Sequence, residues 1–516
     1  MTIRLKEQSD MKIGIVGGGI GGMMTALLLA EQGRQTVIYE RQESLGGRLA
    51  YEGDGLQYRI DRGPTIVLLP QMLKSLLAEA GIGESDCELL ECDPLYNIHY
   101  ADGKVLTKYR NPAQMAEELE RVFPGEGAGV HRYLNELGEL FEAGKAQFLQ
   151  RSFVRKREFF SGRNLRLLGK LRVHLSARQL AARYFRQEQA IDAFSLQTLY
   201  VGGLPAGSPS LYTFIPYAEH AFGIWYLRGG YAGLSGLLAH RLTEAGVEVR
   251  TGAGGFVREI VTRQGKVQAI ETHDGLRHLH SQVIFNGDFP YLPALLPSEK
   301  LQPRREYVPS SGSILLYIGA DRRWGGEQHK DVETGKVLAH QFFLPPSLTS
   351  SLERLKSGQA DTSGEVPAYY VFNPCALDAG AAPEGHSVLY VLIPMPLRSA
   401  AVDGKRTDEQ WREIGERLAQ RVLDDAEQRA FPGLRAAIRW KKLRTPADGE
   451  AEGWYRGGSF GIAPTWLQSG AFRPQMVPYH HLSGLYSVGA SIHPGGGIPI
   501  VMQGAKLLAD HLQSGG

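Results

Sequence analysis

Two glycine-rich stretches near opposite ends of the 516-residue chain carry the residue types best suited to chemistry. In the first, Gly17-Gly18-Gly19-Ile20-Gly21-Gly22, the glycines at 17, 19 and 22 fit the spacing GxGxxG. At that spacing Gly17 permits a tight turn, Gly19 lets a pyrophosphate approach the backbone, and Gly22 lets a helix pack on a strand. The helix start adds unpaired N–H groups and the positive end of its dipole. Glu40 lies eighteen residues past Gly22, where an acid would hold a ribose hydroxyl. A lone GxGxxG is weak, and an ordinary βαβ turn is its alternative. Here strand, glycines, helix, strand and acid arrive in order, which points to a dinucleotide. The second stretch, Pro494-Gly495-Gly496-Gly497, feeds a helical run with Pro499 in its first turn, where a missing N–H costs little. Its backbone N–H groups can meet a second anionic or electron-rich group.

The elements that must position these turns read clearly. Lys12–Val16 is a buried strand, Met23–Ala30 a helix stopped by Gly33, and Thr36–Tyr39 a second strand. Residues 13–30 lack charge and follow Arg4, Lys6 and Lys12, so they imitate a signal or spanning segment. Six glycines in their first ten positions argue against a lipid-spanning helix, and the chain reads as soluble with residues 1–10 a frayed leader. Leu485–Gly489 is the strand ahead of the second glycine stretch, and Pro499–Leu512 the helix after it.

Between these ends, Gln71–Gly81 reads as a helix, and Leu95–Tyr100 with Lys104–Tyr109 as a hairpin around Ala101-Asp102-Gly103. Residues 112–150 read as helical. Leu234–Ala245 is a helix and Val247–Arg250, Phe256–Ile260, Lys266–Thr272 and Gln282–Asn286 are strands. Ile314–Ile318, Ala339–Phe343, Ala368–Phe372 and Val388–Ile393 suggest a second sheet, with Asp408–Asp424 an amphipathic helix.

Composition excludes several classes. Lys+Arg 57 against Asp+Glu 55 leaves +2, which implies neither nucleic acid nor an acidic partner. Cys87, Cys92 and Cys375 form no CxxC, a sparse set that suits a reducing cytoplasm. No metal-ligand spacing is present, and His480-His481 reads as a surface pair. Residues 151–183 stand apart, with ten Arg/Lys and one acid, Glu158. Leu165, Leu168, Leu171 and Leu175 would form one apolar stripe on a helix, the pattern of an interfacial helix on an anionic membrane. A helix packed on its own domain with a solvated basic face is the plainer reading. The aromatic tract at 189–227, from Phe194 through Tyr200, Tyr212 and Phe214 to Tyr226, could line an apolar pocket or fill a core.

Leu45-Gly46-Gly47-Arg48 after Glu40, then Ile60-Asp61-Arg62-Gly63-Pro64-Thr65, resembles the FAD-binding amine oxidase and phytoene desaturase superfamily. Ala490-Ser491-Ile492-His493-Pro494-Gly495-Gly496-Gly497-Ile498-Pro499 is similar to the C-terminal signature of carotenoid desaturases. The segments Asp61–Val67, Phe194–Tyr200, Ser208–Tyr212 and Phe460–Thr465 resemble bacterial dehydrosqualene (4,4′-diapophytoene) desaturases, a likeness covering nearly all the chain after Met11. Arg62 departs from the apolar residue expected there, and residues 151–183 are more basic than the family leads one to expect.

The resemblance implies an α/β fold: a Rossmann-like FAD-binding domain from residues 11–100, 228–310 and 453–516, and an inserted α+β substrate domain from 101–227 and 311–452. It implies FAD contacts from Gly17, Gly19, Gly22, Glu40, Arg41, Gly47, Arg48, Gly63, Pro64, Thr65, Val257, Asp288, Gly489, Gly497 and Ile500. The implied reaction is desaturation of a long polyene by hydride transfer to flavin, which needs orientation and dryness more than acid–base groups. Quinone or oxygen would then take the electrons. His493 is the candidate proton acceptor or flavin-tuning group, and its presence tilts the reading toward desaturases over terminal-methyl oxidases. A thirty- or forty-carbon hydrocarbon has no useful aqueous concentration, so its enzyme should collect it from the membrane as a peripheral cytoplasmic protein. An oxidase or oxygenase of a carotenoid end group or an amine is the second reading, without a thioether-linked flavin at the cysteine-free C-terminal glycines. A non-enzymatic prenyl-lipid binder on this fold, like the GDP-dissociation inhibitors, is the third.

Overall fold

The computed structural model describes residues 12–297, 299, 305–325, 337–357, 364–395, 397 and 406–515. The expected leader, residues 1–10, lies outside the described residues. Four short, fully buried strands and a more exposed edge strand, Glu248–Arg250, build a five-stranded parallel sheet in the order Leu485–Ser487, Val283–Phe285, Ile13–Val16, Thr36–Tyr39, Glu248–Arg250. Burial on both faces is what such unbroken apolar runs require. Helices Ile20–Glu31, Gly230–Glu244 and Ile498–Gln513 share one apolar core with this sheet. A three-stranded sheet of Val257–Arg263, Lys266–Thr272 and Arg277–Leu279 contributes to a second core, with Val16, Val37 and Phe285.

The second sheet foreseen between residues 314 and 393 is present and larger. Its seven strands run Ile438–Arg444, Gly312–Ala320, Ser387–Met395, Tyr369–Phe372, His340–Phe343, Tyr96–His99, Val105–Lys108. All neighbours are antiparallel except His340–Phe343 with Tyr96–His99. The Tyr96–His99 strand therefore belongs to this sheet, so a division of the chain at residue 100 cuts through a hairpin. The hairpin itself forms as read, with Tyr96 opposite Lys108 and His99 opposite Val105.

Residues 112–150 are helical as read, in two pieces, Pro112–Val122 and Gly127–Gly144, followed by a π-helical turn at Lys145–Leu149. The break falls at Pro124, which has no N–H to continue the ladder, and Gly125, whose φ is +89°. The basic tract is likewise split, into Lys156–Phe159, Gly162–Lys170 and Ala177–Ala181. Ser161 and Ser176 cap the second and third pieces, and Arg172 at φ +50° turns the chain between them. The leucine stripe does not survive this. Leu165 is 51% exposed, while Leu167 and Leu171 join a small core with Phe148, Phe153, Phe159 and Ala471. Arg172 pairs with Glu136, and Arg178 with Glu188 and Asp192, so acids distant in sequence neutralise part of the tract. Among the described residues no helix is long and apolar enough to cross a membrane.

Candidate active site

The parallel pairing Gly14–Val16 with Val283–Phe285, and of those with Leu485–Ser487, ends three strands side by side. Both glycine turns leave from that edge. Asn286 stands between them, its Nδ2 donating to the carbonyls of Gly17 at 3.0 Å and Gly19 at 3.3 Å. A Cβ added at Gly489 would lie 3.2 Å from the Asn286 carboxamide oxygen. One cavity of about 1080 Å³ opens here, at the top of the ~300–1,000 Å³ range of small-molecule sites.

Its wall holds Gly17, Gly19, Glu40, Arg41, Gly47, Arg48, Gly63, Pro64, Thr65, Val257, Asp288, Gly489, Gly497, Ile500 and His493. Gly22 is the exception among the residues read as cofactor contacts. It lies behind the wall, where an added Cβ would stand 2.2 Å from the Gly17 carbonyl oxygen, so its role is the helix–strand approach. The three motif glycines thus have three different reasons. Gly17 has φ +104°, a conformation side chains rarely adopt. Gly19 has ordinary extended angles (φ −73°, ψ 177°), and its added Cβ would meet only Asn286 Nδ2, at 3.4 Å. Nothing in the protein forbids a side chain at Gly19; the space beside it belongs to the cavity.

Glu40, 7% exposed, is fixed by the N–H of Gly18 at 2.7 Å and of Gln42 at 2.8 Å. Arg48 pairs with Asp288 at 3.0 Å and lies over the Trp454 ring at 5.0 Å, while its buried Nε has no partner. Asp288 also accepts from the Tyr455 N–H at 2.8 Å. Arg473 is 5% exposed and donates to the carbonyls of Gln468, Ala490 and Ile492, bracing the second glycine loop. Asn286, Trp454 and Arg473 were not legible as site residues, since each acts through partners far off in sequence.

His493 is 5% exposed, and its Nε2–H donates to the Arg151 carbonyl at 2.9 Å. That fixes the neutral tautomer with Nδ1 unprotonated and without a protein partner. Burial lowers its pKa to about 4; the Arg151 bond raises it and the Arg473 charge lowers it further. Among the described residues no cluster of His, Cys, Asp and Glu could hold a metal ion.

Away from the glycines the same cavity is walled by Phe141, Phe148, Leu199, Leu211, Phe214 and Phe342. The aromatic tract therefore both fills core, as Phe194 does, and lines the chamber, as Tyr200, Tyr212 and Phe214 do.

Residues 20–512 match the family described as flavin containing amine oxidoreductase. The chain belongs to that family. It is an oxidoreductase and its cofactor is FAD. The residues present fit that group: open space at Gly19, an orphaned buried donor on Arg48, and glycines at 495–497 whose added Cβ atoms would meet nothing closer than 3.8 Å. The chain is 43% identical over 505 residues to a 4,4′-diapolycopen-4-al dehydrogenase of Metabacillus indicus, covering 98% of this chain and 97% of that one. It is 29% identical over 514 residues to the 4,4′-diapophytoene desaturase (4,4′-diaponeurosporene-forming) of Staphylococcus aureus strain Newman, covering 97% and 98%. Its fold matches the crystal structure of an oxidoreductase from Methanosarcina mazei with TM-score 0.62 and 16% identity, covering 97% and 100%.

Gly19→Val is expected to keep near-native thermal stability while losing FAD retention at least tenfold, whereas Gly22→Val destabilises the fold itself. Thermal melts beside flavin absorbance of the purified variants separate the two effects.

The His493 imidazole should also leave a mark on acid stability. Its folded pKa of about 4 lies below the unfolded value near 6.5, so the unfolded chain binds the extra proton between them. Stability should fall as pH drops through that window, by up to about 1.4 kcal/mol per pH unit from this group. Urea midpoints at pH 7 and pH 5 should converge in His493→Gln relative to the parent; an unchanged gap would assign the slope to other groups.

Proposed function

We propose that the chain oxidises the terminal aldehyde carbon of a long diapo-type polyene to a carboxylic acid, with FAD as the electron acceptor. The observation that carries the substrate class is a cavity lined both by the two glycine turns and by aromatic and aliphatic side chains. The 43% identity to a diapolycopen-4-al dehydrogenase over 98% of the chain supports the aldehyde as the reacting group. Gly17, Gly19, Glu40, Arg41, Gly47, Arg48, Val257 and Asp288 would hold the dinucleotide half, and Gly63, Pro64, Thr65, Gly489, Gly497 and Ile500 the ring half. Bound FAD would supply a two-electron acceptor: the aldehyde, hydrated by one water, would lose a hydride from its carbon and a proton from its hydroxyl to give the acid. His493, kept neutral, would offer Nδ1 as a hydrogen-bond acceptor at that end rather than act as a strong base. The apolar walls would hold the polyene in register and keep bulk water from it. Quinone or oxygen would take the electrons onward.

Desaturation of a diapophytoene-type hydrocarbon is the second reading. The 29% identity to the diapophytoene desaturase over 97% of the chain favours it, as does the predominantly apolar surface of the chamber. Product masses decide between them. FAD-loaded enzyme given, in separate reactions, a polyenal and a diapophytoene-type hydrocarbon that still carries saturated C–C units should add one oxygen to the aldehyde. Loss of two hydrogens from the hydrocarbon alone would establish the desaturase instead.

The substrate class also supports docking on a membrane by a cytoplasmic, peripheral protein. Phe160 and Leu165 are 43% and 51% exposed, and Phe160 meets Phe472 ring to ring at 6.0 Å. Trp466, Leu467 and Phe472 extend this apolar surface, with Arg157, Arg163 and Arg166 exposed beside it. Phe148, Phe159 and Gly470 lie just beneath and line the cavity. Such a surface would bind anionic lipid and open the chamber toward it. Vesicles containing anionic lipid should sediment the protein, less so at high salt, and Leu467→Ser with Phe472→Ser should reduce recovery several-fold. Equal recovery with neutral vesicles would remove the electrostatic part.

A further inference from the structure

The chamber wall carries a polar relay that an all-hydrocarbon ligand would leave without use. Strands His340–Phe343 and Tyr369–Phe372 pair so that His340 faces Phe372 and Phe342 faces Tyr370. His340 and Tyr370 are therefore diagonal neighbours on one face. The Tyr370 hydroxyl lies 2.7 Å from His340 Nδ1 and 2.8 Å from Thr65 Oγ1. Behind them His340 Nε2 lies 3.5 Å from the Cys92 thiol, which burial keeps protonated. His340 is fully buried, stacked on Phe372 at 4.9 Å, and neutral, with its pKa lowered by burial to about 3.

A neutral imidazole bonded at both nitrogens fixes the phenol's position. The phenol oxygen has one donor and two acceptor positions, of which Thr65 and His340 use two. Thr65 likewise keeps hydrogen-bonding capacity beyond Tyr370. Both residues line the cavity, next to Gly63 and Pro64, among Leu315, Phe342 and Leu392. Burying such groups is costly unless each is bonded, and both hydroxyls stand at the cavity wall with capacity left over from their mutual bond and the His340 bond.

We propose that Thr65 and Tyr370, held by His340, form a hydrogen-bonding seat for an oxygen atom on the end of the polyene and so select oxygenated ends over methyl ends. The proposal rests on the terminal-aldehyde reading above and names the residues that would recognise that end. Tyr370 and Thr65 touch the ligand; His340 is a positioning residue.

Binding separates the seat from the reaction. FAD-loaded enzyme and Tyr370→Phe are titrated with a polyenal and with the hydrocarbon of the same chain, following perturbation of the flavin spectrum. Removal of the hydroxyl should weaken the polyenal about tenfold and the hydrocarbon less than twofold, tenfold being about 1.4 kcal/mol and within reach of one hydrogen bond. Thr65→Val should lower the same selectivity ratio when compared at matched flavin content, since Thr65 also lies on the ring half, and His340→Leu serves if Tyr370→Phe does not fold. His340→Leu should lower the ratio with less effect on hydrocarbon binding. Equal weakening of both ligands, or an unchanged ratio, overturns the seat. A wild-type enzyme that binds the polyenal tightly without oxidising it would instead sink the catalytic reading while leaving the seat in place.

Discussion

The molecule depends on three parallel strands, from residues 13–16, 283–285 and 485–487, ending together although most of the chain separates them. Their order places the change of direction between the first two, where open α/β sheets bind ligands. Asn286 makes that junction specific. Its side-chain amide bonds the carbonyls of the first glycine turn, and its oxygen faces the start of the second. One carboxamide thus sets the spacing of two loops that local sequence alone could not relate. Helix Ile498–Gln513 packs beside helix Ile20–Glu31 in the same core, so the two turns cannot drift independently.

The larger sheet is tied to this junction by charge as well as apolar packing. Glu52, 3% exposed on its side chain, meets Arg62 at 2.7 Å, Lys442 at 2.6 Å and Arg444 at 3.2 Å. Burial pushes its carboxyl up, but Lys442, Arg62 and Arg444 together hold it below the ordinary value. Arg444 continues to Glu452 at 2.7 Å. Replacing such a network with apolar groups is often neutral for stability, so its value lies more in fixing register than in energy. Here it locks the Tyr51–Gly53 and Arg59–Asp61 hairpin to the strand Ile438–Arg444. Arg62, where the resemblance leads one to expect an apolar residue, is the near end of that lock.

What could be read from sequence divides along physical lines. Strands whose burial is two-sided, such as Ile13–Val16 and Thr36–Tyr39, announce themselves as unbroken apolar runs, and their boundaries coincide with the structure or shift by a residue. The glycine turns were legible because each glycine answers a local demand of backbone angle or space. The basic tract misled for the opposite reason: periodicity assumes one continuous helix, and caps at Ser161 and Ser176 divide it. Neither Tyr370 with His340 nor Asn286 could be found from spacing. Each relation is a strand register or a cross-chain hydrogen bond, fixed only once the sheets exist.

These constraints also explain why so little acid–base machinery faces the ligand. His340 and His493, which back and border the chamber wall, are buried enough to stay neutral, and their hydrogen bonds run to the Tyr370 hydroxyl, the Cys92 thiol and the Arg151 carbonyl. A neutral imidazole in such a wall orients its neighbours; it is a poor store for a proton at pH 7. Chemistry at this site therefore has to draw its driving force from the cofactor and its selectivity from placement. The fold provides placement at two scales: glycine backbone close to the flavin nucleotide, and a long apolar wall interrupted by a hydroxyl pair. On the reading proposed above, an enzyme built this way would discriminate by where along a polyene it finds oxygen.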